Sequence, residues 1–431
     1  MDITEALTWL DAHMNLERMR ERPPLPSLDQ MRSLSAMLGE PQHDLDAIHI
    51  TGTNGKGSVA RLATSLMVSA GVSVGTYTSP HLHVINERIA LNGRSVDDAA
   101  LVDVLAVVRR AESAAGCSPS WFEVVTAAAY RLFSDVAVEA AVVEVGIAGR
   151  WDATNVLDAQ VAVATTVDVD HVEFLGADPL DAAAEKAGIV TPGGVLVLGV
   201  TDDALAQPFL DAGARTVLRA GWDWAVESQD LAVGGWRATI RTPLDQYVDV
   251  VLPFHGRHQV TNLAMALTAV EALLGTPLTP DVVAEAVATT TLPARLEVVG
   301  HQPLTIIDGA HNAQALAGLR QTLDEEFSYG RRLLVVGQIG REPKMLVDAL
   351  AIGPGTDDLV VVTEPRSPRA VPADDLAAAV KAAGVGVAVA PNAATAMDMA
   401  ADVAGVGDLV LVAGSLYLAA EAREHTGRLE V

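Results

Sequence analysis

The sequence has little cysteine, lysine and aromatic side chain, and its apolar runs are short. The single cysteine, Cys117, cannot form a disulfide within the chain, which suits a reducing compartment. Apolar runs such as 137–145 are too short to cross a bilayer, which takes about 20 residues. The first residues, MDITEALTWLDAHM, lack the basic segment and apolar core of a signal peptide. We therefore predict a soluble, cytoplasmic protein with no membrane partner.

Basic residues are also scarce. The net charge is −26 and the pI is about 4.6, which disfavours nucleic acid as a partner. A solvated acidic surface explains the overall charge without any functional role. Anionic substrates, however, would require the few basic residues to gather at the site. Motif-like segments contain Arg88, Arg150, Arg257 and Arg295. The chain has only four lysines, Lys56, Lys186, Lys344 and Lys381.

Short valine-rich runs alternate with helical stretches along most of the chain. This alternation predicts an α/β protein with mostly parallel, doubly wound sheets. Strand and turn signals at 222–253 indicate a small β-meander, and Asn92-Gly93 indicates a hairpin. A chain of 431 residues is long for one core, and the pattern changes near 296–302. We predict a first α/β domain over residues 1–297 and a Rossmann-like domain over 298–431. The predicted strands are 47–51, 72–78, 140–145, 160–167, 194–200, 304–308, 332–337, 358–363, 385–390 and 409–413.

The segment IHITGTNGKGS, residues 48–58, is the most informative motif. A predicted strand ends in a glycine-rich loop that carries Lys56 and then Ser58, at the start of a helix. Backbone N–H groups of such a loop hold phosphates, the lysine adds a charge, and the serine can bind Mg²⁺. The spacing is shorter than the usual phosphate loop, with Gly57 between lysine and serine. A glycine-rich turn without a ligand is the competing interpretation.

Several chemistry-bearing residues follow predicted buried strands. Glu144 ends the run AAVVE, at the sheet edge where ligands of α/β proteins bind. A buried carboxylate needs a partner, which is either Mg²⁺ or Arg150. Asp168, Asp170 and His171 follow the next strand. By hardness His171 is an unusual magnesium ligand, and a hydrogen-bonding role is the alternative.

Two further residues have two interpretations each. Lys186 is either an ordinary helix lysine or, if buried with a lowered pKa, a lysine that reacts with CO₂ to form an anionic carbamate. Asp308 opens the segment DGAHN after a strand. It either binds the ribose or base of a nucleotide or caps the helix that follows.

Taken together, these segments resemble the folylpolyglutamate synthase and dihydrofolate synthase family of the Mur ligase superfamily. The similarity extends from about Ala6 to Ala422. The specific elements are GTNGKGS, the SPHL segment and GR-x-DATN. Further matching segments are DHVEFLG, EKAGI, GRHQVTNLAMA, ARLEVV, DGAHN and GSLY.

The resemblance implies a reaction and a set of site residues. In the family, ATP phosphorylates a carboxylate of a pterin substrate, and the amine of L-glutamate displaces the phosphate. The implied catalytic residues are Lys56, Glu144, His171 and Lys186, the last as a carbamate. Two Mg²⁺ ions would be bound by Ser58, Ser79, Glu144 and His171. ATP would contact Thr53, Asn54, Gly55, Lys56, Gly57, Ser58, Asn262, Arg295 and Asp308.

The acceptor pocket implied by the resemblance lies in three segments. Dihydropteroate or a reduced folate would contact Ser27, Leu28, Asp29, Gln30, Phe122, Glu123, Trp151, Asp152 and Ala153. For L-glutamate, His311, Arg366 and Ser415 are candidates. The family is typically monomeric, so we expect a monomer.

Departures from the family pattern affect substrate preference more than reaction class. Ile147, Ala148 and Trp151 replace Leu, Gly and Leu, and Ser27 stands where glycine is common. We predict a bifunctional ligase that makes dihydrofolate and extends reduced folates. The alternatives are an enzyme confined to one of those steps, another Mur-type amide ligase, or a nucleotide-binding regulator without turnover.

Overall fold

A computed structural model of the chain describes residues 1–19, 27–168, 176 and 178–429. Its described strands form two parallel-type sheets and one small antiparallel sheet, flanked by helices. The predicted α/β class is therefore confirmed. None of the described helices is long and apolar enough to cross a membrane.

The first sheet has eight strands. Its core is parallel, and a hairpin adds two antiparallel strands at one edge. The order is β4-β3-β2-β5-β1-β6-β7-β8. The strands are β1 (Ala47–Thr51), β2 (Val74–Tyr77), β3 (Ile89–Leu91), β4 (Arg94–Ser95), β5 (Ala140–Glu144), β6 (Val161–Ala164), β7 (Val195–Leu198) and β8 (Thr216–Arg219).

Helices cover both faces of this sheet, which explains why its central strands are apolar throughout. The helices on one face are Lys56–Ser69, His258–Leu274 and Pro280–Thr289. The other face carries Ile3–Asp11, Asp29–Met37, Asp98–Ala115, Trp121–Asp135, Pro179–Lys186 and Asp203–Leu210.

The predicted β-meander is confirmed as an antiparallel sheet in the order β11-β10-β9. Its strands are β9 (Ala225–Ala232), β10 (Gly235–Arg241) and β11 (Gln246–Leu252). Trp236, Ile240, Tyr247 and Leu252 point inward and join the core that packs against helix His258–Leu274. The meander therefore covers the helix rather than extending the large sheet.

The second large sheet has six strands in the order β12-β13-β17-β14-β15-β16, with only β12 antiparallel. They are β12 (Glu297–His301), β13 (Leu304–Ile307), β14 (Arg332–Val336), β15 (Leu359–Val362), β16 (Val387–Val389) and β17 (Leu409–Ala413). Its helices are Ala313–Glu326, Pro343–Ala349, Ala373–Ala382, Ala393–Val403 and Leu416–His425. This doubly wound unit is the predicted Rossmann-like domain, and the exact division at residue 297 remains a prediction.

Local sequence signals explain most of these boundaries. Helices Asp98–Ala115 and Trp121–Asp135 begin after the capping residues Asp97 and Ser120, whose side chains accept backbone N–H bonds. In the hairpin, Asn92 and Gly93 have φ of 51° and 75°, which suits the predicted tight turn. The short strands β8 and β12 at sheet edges were missed, because their alternation is too weak to stand out.

One glycine in the first sheet is required for packing. A Cβ on Gly75 of β2 would lie 2.6 Å from the ring of buried Phe133. We predict that Gly75→Ala lowers the free energy of unfolding by about 1–3 kcal/mol through overpacking. Gly318 in helix Ala313–Glu326 is a matched control with open space around it, and Gly318→Ala should be stabilising by about 0.5–1 kcal/mol. Calorimetric unfolding of both variants tests this, and equal midpoints would contradict it.

Candidate functional site

The loop between β1 and helix Lys56–Ser69 has the geometry of a phosphate cradle. Gly52 and Gly55 have φ of 146° and 88°, and a Cβ on Gly52 would lie 1.8 Å from Thr165 Oγ1. The segment after β6 supports the loop through two hydrogen bonds. Thr53 N–H donates to Thr166 O at 2.7 Å, and Thr165 Oγ1 donates to Asn54 O at 2.6 Å. Lys56 Nζ lies over the loop, 3.0 Å from Gly52 O. The N–H groups of the first helical turn have no partner inside the helix and can receive an anion.

Glu144 stands beside this loop at the carboxyl end of β5. It is only 4% exposed and accepts the N–H of Ser79 at 3.2 Å. A Cβ on Gly57 would lie 3.5 Å from its Oε2 atom, which is an ordinary contact, so the start of helix Lys56–Ser69 lies directly beside the carboxylate. Burial raises the pKa of Glu144, and the charges of Lys56, Arg295 and Arg61 oppose that rise. The carboxylate is therefore surrounded by cations without a direct salt bridge to any residue that the structure describes.

These groups suit a hard divalent cation. Ser58, Ser79 and Glu144 line one cavity of about 60 Å³. Within the described ranges no three His, Cys, Asp or Glu side chains cluster. One carboxylate and two hydroxyls are nevertheless the oxygen ligands that Mg²⁺ takes when phosphates and water complete its shell. The residues present fit the predicted metal.

A buried network fixes the SPHL segment next to this cavity. Glu87 accepts the N–H groups of Leu82, His83 and Val84 at 2.6, 2.8 and 2.9 Å. Arg88, which is 1% exposed, donates to both carboxylate oxygens of Glu17 and to His81 Nδ1. Burial lowers the pKa of His81 to about 4, with a further contribution from Arg88. His81 is therefore neutral at physiological pH, and Ser79 is held on a rigid support.

Arg295 lies just before β12, and Asp308 directly follows β13 of the second large sheet. A Cβ on Gly309 would lie 2.6 Å from Arg295 Nη1, so the guanidinium packs on that backbone. Asp308 accepts N–H bonds from Leu296 and Ala310, both at 2.7 Å. Burial raises the pKa of Asp308, and Arg295 opposes the rise. Arg295 thus influences both Glu144 and Asp308, one in each large sheet.

The phosphate loop itself contacts the second domain. Asn312 Nδ2 donates to Asn54 Oδ1 at 2.9 Å, and Asn54 Nδ2 donates to Gln314 Oε1 at 2.7 Å. Asn312 also caps helix Ala313–Glu326. At the other end of that helix, buried Glu326 accepts from Trp236, His255 and Gly256. One helix is therefore attached at both ends to the first domain. Asn262 lies on the opposite side of the loop, against Gly55.

Some of the predicted acceptor residues form a surface, and others hold the backbone of that surface in place. Phe122 packs over Gly146, whose Cβ would lie 2.6 Å from the ring, and Ala153 is buried. Asp152 accepts four bonds, from Gly146, Ile147 and both donors of Thr154. Glu123 caps its own helix, with one oxygen accepting Ser120 N–H at 2.7 Å. Asp152 and Glu123 thus fix the backbone around Phe122 and Ala153, and we call this surface the acceptor wall. Trp151, which is 47% exposed, extends from the acceptor wall.

The N-terminal segment Ser27–Gln30 approaches this wall. Gln30 Oε1 accepts the N–H of Ser118, just before helix Trp121–Asp135, at 2.7 Å. Leu28 is buried, whereas Ser27 and Asp29 are exposed. This places one end of the segment near Phe122 and leaves polar groups at the surface.

Lys186 is buried, with 2% exposure, at the end of helix Pro179–Lys186. The helix packs on the loop after β5, since Arg150 N–H donates to Glu185 O at 2.9 Å and a Cβ on Gly149 would meet Lys186 O at 2.8 Å. Lys186 therefore lies behind the segment that follows Glu144. His171 and Asp170 lie outside the described residues.

The three candidates for L-glutamate are not equivalent in the structure. Ser415 is fully buried and caps helix Leu416–His425, and His311 Nδ1 lies 2.8 Å from Gly309 O. Their backbones are adjacent, because Gly414 N–H donates to Ala310 O. Arg366 lies in the segment after β15, and its side chain, which is 66% exposed, pairs with Glu421 and Glu424 of helix Leu416–His425.

Sequence reasoning missed three residues that the structure places at the site. Arg61 and Glu87 line the Glu144 cavity, and Asn312 holds the phosphate loop. Arg61 follows Ser58 by three residues, so helical periodicity already put both on one face. Asn312 gave no signal beyond a helix cap.

Comparisons with known proteins agree with this geometry. Residues 123–270 match the Mur ligase middle domain, and residues 294–416 match the Mur ligase, glutamate ligase domain. The fold is thus that of a Mur ligase.

Whole-chain relatives define the family more closely. The dihydrofolate synthase/folylpolyglutamate synthase of Mycobacterium tuberculosis is 36% identical, over 96% of this chain and 93% of its own length. The Escherichia coli protein of the same name is 30% identical, over 97% and 94%. The M. tuberculosis folylpolyglutamate synthase complexed with ADP and AMPPCP has a TM-score of 0.91, with 36% identity over 100% of this chain and 99% of that one. E. coli FolC in complex with DHPP and ADP has a TM-score of 0.86, with 27% identity over 98% and 97%. The chain belongs to the dihydrofolate synthase/folylpolyglutamate synthase family, as its motifs predicted.

The raised pKa of Glu144 gives a test of its environment. A carboxyl with a raised folded-state pKa stabilises the fold below its ordinary value of 4.5, and this contribution is lost as pH rises through the folded-state pKa. Glu144→Gln, which stays neutral, should therefore be more stable than the wild type at pH 7 in metal-free buffer. The gain is about 1.4 kcal/mol for each unit by which the pKa is raised.

Denaturant unfolding at pH 7 and pH 4 checks this expectation. The advantage of Glu144→Gln should shrink at the lower pH, where the wild-type carboxyl is protonated. If the stability advantage of Glu144→Gln were equal at both pH values, or if the variant were less stable than the wild type at pH 7, the raised pKa of Glu144 would be contradicted.

Proposed function

We propose that this chain is an ATP-dependent ligase that joins L-glutamate to dihydropteroate, giving dihydrofolate, and to reduced folates. The observation that carries the proposal is the assembly of one site from two domains. A phosphate loop and a buried carboxylate come from the first domain, Asp308 comes from the second, and Arg295 lies in the segment that joins them. The bifunctional relatives and the ADP and DHPP complexes of the family support the same reaction.

ATP would lie across the junction of the domains. The segment from Thr53 to Ser58 would bind the phosphates through its backbone N–H groups, the Lys56 ammonium group and the Ser58 hydroxyl. Asn262 lies beside Gly55, which suits contact with the nucleotide close to the loop. The buried Asp308 carboxylate, with Arg295 beside it, would contact the sugar or the base. Binding that spans two domains favours their closure and the exclusion of water.

Two metal ions are part of the proposal. Glu144, Ser58 and Ser79 would hold Mg²⁺ and His171 would complete the set. When bound, Mg²⁺ neutralises phosphate charge during transfer. A carbamate on Lys186 would add an anionic ligand. Its burial at a helix end behind Glu144 supports this role.

The acceptor would enter along Phe122, Trp151, Asp152 and Ala153, with Ser27–Gln30 closing one side. Its carboxylate would reach the cavity near Ser79 and Arg295, where the γ-phosphate of ATP converts it to an acyl phosphate. The amine of L-glutamate then attacks the acyl carbon, phosphate leaves, and an amide forms. Lys56 and Arg295 stabilise the charge that develops on the transferred group.

Measurement of ADP release with ATP, Mg²⁺ and L-glutamate tests this function. We expect glutamate-dependent release with dihydropteroate and also with tetrahydrofolate. Release with only one acceptor would restrict the enzyme to one of the two steps. Silence with both would contradict the proposal and favour another Mur-type substrate or a nucleotide-binding regulator.

Lys56 should be essential for ATP turnover. We predict that Lys56→Ala reduces ADP release by about a hundredfold or more, because a cation on the transferred phosphate is lost, while the thermal midpoint stays unchanged. Lys344→Ala is the matched control, since Lys344 forms an exposed pair with Asp348. Normal turnover in Lys56→Ala would show that the loop does not bind the reacting phosphates.

The carbamate can be tested by chemical rescue. Lys186→Ala should abolish amide formation, and acetate or formate should partly restore it by occupying the place of the carbamate group. Lys381→Ala, with its lysine on a different domain, should show neither effect. Full activity of Lys186→Ala without added carboxylate would contradict the catalytic role of this lysine.

A further inference from the structure

His49 is a buried histidine to which the proposed reaction assigns no role. It lies in β1, just before the phosphate loop, and is fully buried. Its Nε2 atom lies 2.9 Å from Thr154 Oγ1. Its Nδ1 atom has no hydrogen-bond partner among the residues that the structure describes. Burying a polar ring inside a sheet is costly, and the bond to Thr154 offsets part of this cost.

The Thr154 hydroxyl connects His49 to the carboxylate of Asp152. Thr154 Oγ1 donates to Asp152 Oδ1 at 2.5 Å, and Thr154 N–H donates to the same oxygen at 3.0 Å. The other carboxylate oxygen accepts the N–H groups of Gly146 and Ile147 at 2.9 and 2.8 Å. Asp152 therefore joins the two ends of the segment 146–154, which we call the acceptor loop.

The directions of these bonds determine which ring nitrogen of His49 carries the proton. The one hydrogen of the Thr154 hydroxyl goes to Asp152, so the hydroxyl oxygen accepts from His49 Nε2–H. The Nδ1 atom of the neutral ring is then an acceptor. Buried acceptors without a partner are more common than buried N–H donors without one. Burial also lowers the pKa of His49 to about 3, so the ring is neutral at physiological pH.

Thr51 of β1 holds the acceptor loop at a second point. Its hydroxyl donates to Ala148 O at 2.5 Å. His49 and Thr51 are two residues apart in the strand, so their side chains extend from the same face of the sheet. Ala148 has a φ of 66°, a conformation that alanine rarely adopts and that persists where the surrounding structure imposes it. Two side chains of β1 thus fix the conformation of the acceptor loop.

The acceptor loop belongs to the acceptor wall. It carries Trp151 and Ala153, and Phe122 packs over its first residue, Gly146. The strand that holds it, β1, continues directly into the phosphate loop. One strand therefore supports both the proposed ATP site and the proposed acceptor site. Such a shared support matters because phosphoryl transfer depends on the relative position of the two reactants.

We propose that His49 is a positioning residue for the acceptor. Its Nε2–H group fixes the Thr154 hydroxyl as a donor to Asp152, and Asp152 holds the acceptor loop in the conformation that binds dihydropteroate or a reduced folate. This inference rests on the proposed ligase function and adds to it a residue that acts through Thr154 rather than by contact with the substrate. Without the His49 bond, acceptor binding would have to order the loop, which lowers affinity.

Steady-state kinetics of His49→Leu tests the positioning role. We expect the KM for the acceptor, dihydropteroate or tetrahydrofolate, to rise about three- to tenfold, as for the loss of one buried neutral hydrogen bond. The KM for ATP should change less than about twofold. His49→Gln keeps an N–H donor on a side chain of similar reach and should recover most of the loss. His43→Gln is the control, since the His43 side chain is half exposed beside Glu40 and Asp158.

A double-mutant cycle tests whether His49 acts through Thr154. Thr154→Val removes the hydroxyl that bonds both His49 and Asp152, so it should raise the KM for the acceptor more than His49→Leu does. In the double variant the two increases should not multiply, because both changes break the same chain of bonds. Increases that multiply would mean that the two residues act independently, and this would overturn the proposal.

Nitrogen NMR of the histidine rings reports the bond without any need for turnover. The His49 ring should be neutral and protonated at Nε2 from about pH 5 to pH 8. A ring protonated at Nδ1 would overturn the proposal, since Thr154 would then donate to His49 and Asp152 would have to carry a proton to keep its bond to Thr154.

The remaining outcomes separate this inference from the proposed function. An unchanged KM for the acceptor in His49→Leu, or a rise confined to the KM for ATP, would overturn the positioning role alone. Thermal midpoint and ADP affinity report whether His49→Leu is folded; if it is not, Thr154→Val and the protonation of the ring decide. Absence of glutamate-dependent ADP release by the wild type with either acceptor would defeat the proposed function, and this inference with it.

Discussion

The buried carboxylate of Glu144 is the constraint on which the site depends. It ends a strand of the sheet interior, where an unpaired charge is costly. The described structure provides no direct salt bridge for it, only one N–H bond and three cations at longer range. Several neighbouring residues are arranged around the Glu144 carboxylate. Glu87 fixes the loop that carries Ser79, and Arg295 approaches from the segment before β12. The proposed cation and phosphates would compensate this buried charge.

The arrangement of domains follows from the same need. Arg295 and Asp308 would contact a nucleotide in the phosphate loop only if the second sheet keeps a fixed position relative to the first. Helix Ala313–Glu326 fixes this relative position. At its start Asn312 donates to Asn54, and at its end Glu326 accepts from Trp236. Arg423 adds a third contact, bonded to both Glu297 and His83. Polar and charged contacts of this kind can break and reform, as a closing enzyme requires.

Much of the fold and part of the site could be predicted from sequence. β1 and helix His258–Leu274 have the predicted ends, because strong apolar runs and capping signals mark them. The phosphate loop and Glu144 were readable since each follows a buried strand. Arg61 and Glu87 were not, because the cavity that Arg61 lines and the amides that Glu87 binds depend on tertiary contacts. Asp152 was predicted as a pocket residue, yet only the structure shows that its oxygens are occupied by the loop around it.

Location of the metal tests the central role of Glu144 most directly. A crystal of the enzyme grown with an ATP analogue and Mn²⁺ in place of Mg²⁺ would show the ion by its anomalous scattering. We predict a peak at about 2 Å from a Glu144 carboxylate oxygen and from the Ser79 hydroxyl, between them and the phosphate loop. A nucleotide bound in the loop with the ion elsewhere, and Glu144 left without a metal, would contradict this role.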